Sequence, residues 1–217
     1  MIVSGMTYDE IITEVNKDVA DVFELSCKKD VKIKRIVQKS QTFPVRLYSF
    51  VTSSPNKNRW LLTWEAHSRK HVGDDCLFAM VCLIQTGHGR IAVMPSFQED
   101  GDLLFFVFLP HFFQRFASRM GLDMHGEDLI RRFFQYNVNF SIDTRRKSIS
   151  DTKYAIEATS TSTEGVALGY QLQTGDFFFK TFITYEMAKG DQIEKFISSE
   201  IRRTESHDAF LYSIGYK

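Results

Sequence analysis

Two periods of hydrophobic spacing alternate along the chain. After Thr7, apolar residues recur at Ile11, Ile12, Val15, Val19, Val22 and Phe23 with acids and Lys17 between them, which predicts an amphipathic helix from about Thr7 to Cys27. Thr7 followed by Glu10 is a capping box for its start. The period then falls to two. VKIKRIVQ from Val31, VRLYSFV from Val45 and RWLLTWEA after the turn around Pro55 predict three antiparallel strands. CLFAMVCLIQ and RIAVMPSF flank the glycines of Gly87 to Gly89 and predict a buried hairpin. LLFFVFL from Leu103 is continuously apolar, and Pro110 ends it by fixing φ and removing a donor, so a buried central strand should feed a helix.

That helix places Phe112, Phe113, Phe116 and Met120 on a core-facing side, with Gly121 as its C-terminal stop. GEDLIRRFFQY predicts a second short helix with Leu129, Ile130, Phe133 and Phe134 inward. Beyond it, VNFSI, a basic turn TRRKS, YAIEAT, GVALGYQLQ, a turn at Gly175 and Asp176, and FFFKTFITY read as a run of strands. Ile193, Phe196, Ile197 and Ile201 then mark a C-terminal helix. The expected architecture is α+β. It is a mostly antiparallel, curved sheet with an N-terminal helix, two short central helices and a C-terminal helix. A single domain spanning 1–217 is expected, with 1–56 as a candidate subdomain and about 75–187 as the core.

Composition supports a packed core, because 43% of the 217 residues are hydrophobic and 14% aromatic. Lys plus Arg equals Asp plus Glu at 27 each, which excludes a molecule that coats polyanions with its whole surface. Cys27, Cys76 and Cys82 are odd in number and lack metal or redox spacing, so they should be free thiols in a cytoplasmic protein. No apolar run reaches the roughly 18 residues of a membrane span, and no leader-like start is present, so neither membrane insertion nor export is expected. Nucleotide-loop, zincin and hydrolase motifs are missing, and no cofactor is expected. Glu65, His67, His71, Asp74 and Asp75 form the one metal-like cluster. It falls in a polar loop, where spacing guarantees no convergence, so no metal is expected either.

The candidate chemistry is a stripe of His111, Arg115 and Arg119, at i, i+4 and i+8 on one helix face and so roughly 6 Å apart. An imidazole can move a proton near neutrality, and guanidinia bind phosphate oxygens and neutralise charge on a phosphorane. Together they suit metal-free RNA cleavage, in which the ribose 2′-hydroxyl is the nucleophile. The competing reading is structural: His111 caps the helix, and the arginines pair with Asp123, Glu127 or Asp128. From His111 to Lys147, seven cations face four acids, a local net charge of +3.

The His111, Arg115, Arg119, Met120, Gly121 run and the acidic helix start at Glu127 and Asp128 resemble the pattern of BrnT-like toxins. They also resemble related domains of the barnase, EndoU, colicin and RelE ribonuclease fold. The resemblance spans about Leu103 to Tyr185, and GVALGYQLQTGDFFFKTFITY looks like that fold's closing hairpin. It implies that His111 is an acid or base and that Arg115 and Arg119 bind phosphate. Lys180, Thr181 and Thr184 on the last strand, with Arg131 and Arg132 on the second helix, would contact the RNA substrate. The alternative is a non-catalytic protein of mobile-element type that binds a protein partner through the aromatics Phe210, Tyr212 and Tyr216. Oligomeric state is not fixed by the sequence.

Overall fold

The protein is described by a computed structural model over residues 2–3, 5–70, 76–98, 102–150, 153–189, 194, 196–199 and 201. The chain begins with two helices, α1 (Tyr8–Cys27) and α2 (Asp30–Lys39). In α1 the capping box is formed: the Thr7 hydroxyl accepts from the Glu10 amide, and the Glu10 carboxylate accepts from the Thr7 amide at 2.7 Å. α2 corrects the strand expected from VKIKRIVQ. Its alternation also contains the i, i+4 pair Ile33 and Val37, and these are the residues buried beneath the helix, while Val31 is left exposed.

Five strands follow as an antiparallel meander, β1 (Val45–Thr52), β2 (Arg59–Ala66), β3 (Leu77–Thr86), β4 (Gly89–Phe97) and β5 (Leu103–Phe108). Helices α3 (Pro110–Arg119) and α4 (Gly126–Tyr136) cross to a second meander, β6 (Ser141–Ser150), β7 (Lys153–Thr161), β8 (Val166–Gln171) and β9 (Phe177–Ile183). α3 stops at Gly121, whose positive φ of 63° lets Leu122 donate back to the Ala117 carbonyl. The meanders join through one parallel pairing, Phe106 to Phe108 of β5 against Phe177 to Phe179 of β9. The result is one open, nine-stranded, mostly antiparallel sheet in the order β1-β2-β3-β4-β5-β9-β8-β7-β6.

LLFFVF is therefore central and buried on both faces, with Phe106 and Phe108 on one and Phe105 and Val107 on the other, while Leu104 is only half-buried. The first face is covered by α3 and α4, whose Phe112, Phe116, Phe133 and Phe134 pack on Phe108, Phe179 and Phe182. Removing one such fully buried ring would cost about 3–5 kcal/mol. The opposite face is covered by α1 and α2 over Trp60, Leu62, Val93 and Val107. Two buried carboxylates fix α1 there. Asp18 accepts from Ser53, Asn56, Asn58 and Trp60, and Asp176 accepts from the Tyr8 hydroxyl and the Phe105 amide. Burial and the Asp176 hydrogen bond push the Tyr8 hydroxyl well above the ordinary phenol range.

The basic TRRKS segment is not a turn but the middle of β6, paired with Ala158 to Tyr154 of β7. As an edge strand it leaves Arg145, Arg146 and Lys147 in solvent, which makes a run of cations tolerable in a sheet. Towards the C-terminus, residues 194, 196–199 and 201 are helical; Phe196 is buried, whereas Ile197 and Ile201 point outward. Ile193 and the aromatics Phe210, Tyr212 and Tyr216 lie outside the described residues, as do His71, Asp74 and Asp75. Among the described residues no helix is long and apolar enough to cross a membrane, and all three cysteines are free.

Candidate functional site

α3 buries its phenylalanines against β9, and this turns His111 and Arg115 to the solvent side. Arg115 Nε donates to His111 Nε2 at 3.1 Å, so the two form an exposed pair in which the imidazole nitrogen is an acceptor. Arg119 diverges from them. It is half-buried, and its Nη1 donates to the Phe182 main-chain carbonyl, which ties the end of α3 to β9.

The remaining expected site residues do not gather around this pair. Lys180 is an unmatched residue in a bulge where Leu168 pairs with Thr181 and Gly169 with Phe179. Its Nζ lies 5.8 Å from the Tyr170 ring, and Tyr170 stacks on Phe178, the ring that Tyr8 of α1 also contacts. Lys180 is therefore on the α1 face of the sheet, whereas α3 lies on the other. Thr181 alternates with the α3-facing Phe182 and also points away. Thr184 starts a short 3-10 turn (Tyr185–Met187), where its carbonyl accepts from Met187.

On α4, Arg131 bonds Gln135 and Asp128 and lies over the Tyr48 ring at 4.7 Å. Arg132 makes a two-pronged ion pair with Glu164 at 2.9 and 2.5 Å and stacks on Tyr136 at 3.8 Å. Asn137 completes that cluster by donating to Glu164 and accepting from its amide. The guanidinium of Arg132 is thus a clamp between α4 and the β7–β8 turn. The +3 stretch is likewise dispersed, because Arg145 and Lys147 project from one face of β6 and Arg146 from the other.

A different feature stands out at the opposite end of the strands. Phe23 of α1 and Phe97 of β4 are 47% and 58% exposed and meet edge-to-face at 6.2 Å. Two adjoining hollows share these rings. One, of about 630 Å³, is lined by Met94, Phe106, Val138 and Phe140 among others; the second, of about 510 Å³, is lined by Asn16, Val19, Ala20 and Leu103. Among the described residues neither lining contains a charged side chain. The sequence marked Phe23 and Phe97 only as members of periodic elements, and no local signal joins residues so far apart in the chain.

The chain matches no protein family, no curated protein and no solved structure. Among the described residues no group of three His, Cys, Asp or Glu side chains could hold a metal ion. The arrangement offers an exposed imidazole–guanidinium pair on one side and an uncharged aromatic groove on the other.

Proposed function

We propose that this chain is a non-catalytic interaction protein that receives an apolar segment of a partner protein in the Phe23–Phe97 groove. The observation behind this reading is the pair of adjoining, uncharged hollows that share two largely exposed phenylalanines. Exposed aromatic surface is costly to leave in water, and contiguous patches of it mark recognition sites. Among the described residues the lining carries no charge, which favours an occupant with apolar side chains at its centre. A random nine-residue peptide library should yield binders with two or more aliphatic or aromatic anchors. Their affinity should fall about a hundredfold in Phe97→Asp, the usual loss for a central anchor. No enriched peptide, or peptides that bind Phe97→Asp equally well, would refute the proposal.

A second reading, metal-independent RNA cleavage, is supported by the His111–Arg115 pair, which lies exposed on the solvent side of α3. It carries with it the toxin resemblance and that fold's curved sheet. Its site reduces to His111 as acid or base and Arg115 as phosphate contact, because Arg119 and Arg132 are held by protein partners and Lys180 and Thr181 lie on the other face. Mixed RNA in EDTA is the assay. His111→Ala should lower cleavage by about two to four orders of magnitude, and unchanged or absent wild-type cleavage removes this reading.

A further inference from the structure

The two edges of the sheet are built differently. β6 is blunted in the usual way, with Arg145, Arg146 and Lys147 exposed along it and a register break between Ser148 and Ser150. β1 pairs with β2 over all eight of its residues without a break, and carries Val45, Leu47, Tyr48, Phe50 and Val51 with Arg46 as its one charge. The hydrogen-bonding direction of β1 follows from its hairpin. Ser53 donates its amide to the Asn58 carbonyl, directly opposite in the same register, so 51, 49, 47 and 45 also bond inward to β2. The amides and carbonyls of Arg46, Tyr48, Phe50 and Thr52 then point out of the sheet. The Arg46 carbonyl accepts from Gln135 of α4 at 3.3 Å, as an outward group can. Ser49 Oγ approaches the Phe50 carbonyl at 3.5 Å, too long to satisfy it. Among the described residues the amides of Tyr48, Phe50 and Thr52 have no acceptor.

We propose that β1 is a self-association edge, on which a second copy of this chain pairs antiparallel about a two-fold axis through Ser49. The register follows from symmetry, because an axis at Ser49 centres the outward-pointing residues Arg46, Tyr48, Phe50 and Thr52, the Arg46 carbonyl keeping a second lone pair beside its bond to Gln135. Tyr48 then exchanges both backbone bonds with Phe50 of the other copy, and Arg46 with Thr52. The side chains match themselves in that register. On the α4 face Tyr48, 47% exposed, lies beside the second copy's Phe50; on the α1 face Leu47 lies beside Val51. Ser49 meets Ser49 at the axis, a small pair where the two backbones approach most closely. No acid–base partner is required, which suits an edge with one arginine already paired to Glu65 at 2.6 Å. The surface is distinct from the Phe23–Phe97 groove and does not depend on it.

Sedimentation equilibrium of the full chain tests this, with a dimer expected at tens of micromolar. Tyr48→Pro removes an outward amide without touching the β1–β2 ladder, and should weaken the dimer at least about tenfold. Tyr48→Lys, which adds a charge to the edge and leaves the backbone alone, should act in the same direction if the proline variant folds poorly. In a Cys27→Ser background, Ser49→Cys should form a covalent dimer with oxidised glutathione, because opposed residues at such a site have Cα atoms about 4.5 Å apart. A wild-type chain that is monomeric at 100 µM overturns the proposal and leaves β1 to a strand of a different protein. A dimer that ignores both Tyr48 substitutions and does not crosslink through Ser49→Cys overturns it too, by placing the contact elsewhere.

Discussion

Asp18 offers the sharpest test of how α1 is held to the sheet. It is 1% exposed, and its carboxylate accepts from Ser53 Oγ at 2.7 Å, Asn56 Nδ2 at 2.6 Å, Asn58 Nδ2 at 2.7 Å and, more weakly, Trp60 Nε1 at 3.4 Å. The charge is stabilised by neutral donors from the β1–β2 turn and β2. Asp18→Ala would leave the Asn58 and Trp60 donors buried without an acceptor, and Ser53 with only its 3.4 Å contact to the Asn58 carbonyl, at about 1–3 kcal/mol for each lost bond before relaxation and water entry. Allowing for that relaxation, the loss should be about 3–5 kcal/mol, the range for breaking a buried charged network. This is a large share of a total stability of about 5–15 kcal/mol. Asp18→Asn keeps the volume and one acceptor oxygen but turns an amide NH₂ towards other donors, so about half of that loss is expected. Urea unfolding followed by tryptophan fluorescence reports it. With a slope of about 2 kcal/mol per molar, the midpoint of Asp18→Ala should drop by about 2 M at unchanged slope. Asp21→Ala, which removes one bond to the exposed Ser54 amide, is the control and should move it little. A midpoint shift below about 0.3 M for Asp18→Ala would show that water satisfies these donors and that the carboxylate does not anchor the helix.

Two further outcomes follow from named contacts. Glu65 is buried between Arg46 at 2.6 Å and His67 at 2.8 Å; burial raises its pKa, but the His67 hydrogen bond and the Arg46 charge outweigh it and the net shift is downward. A depressed carboxylate stabilises the fold above its unfolded value near 4.5 and loses that contribution as pH falls through the folded value. Arg46→Met should therefore cost about 1–3 kcal/mol at pH 7 and progressively less below pH ~4.5, measured as paired urea midpoints; a gap that widens on acidification refutes this. Burial, with the Asp18 charge nearby, pushes the Cys82 thiol upward, so a thiol reagent should modify exposed Cys27 in the native protein and reach Cys82 only on unfolding. Rapid native modification of Cys82, located by peptide mapping, would contradict its packing.

What the sequence by itself determined were the elements whose local signals agree with one another. The Thr7–Glu10 box and six spaced apolar residues specify α1, and LLFFVFL closed by Pro110 specifies β5 and the entry to α3. Gly121 specifies the end of that helix, because the chain there needs a positive φ. Tertiary structure decided wherever a local pattern was compatible with two outcomes. VKIKRIVQ satisfies both periods, and burial of Ile33 and Val37 under the sheet selected the helix. TRRKS reads as a turn unless it sits at an edge, where solvent on one side keeps its cations hydrated. The candidate site divided in the same way. Helical spacing did bring His111 and Arg115 together, because i and i+4 are neighbours on any α-helix. It could not place Lys180, since the bulge in β9 set which face that side chain takes. Nor could it bring Phe23 to Phe97 or set β1 at an edge of the sheet. Contacts between residues distant in the chain, and the edges of a sheet, exist only once strand order is fixed, and strand order is a property of the packed chain rather than of any segment in it.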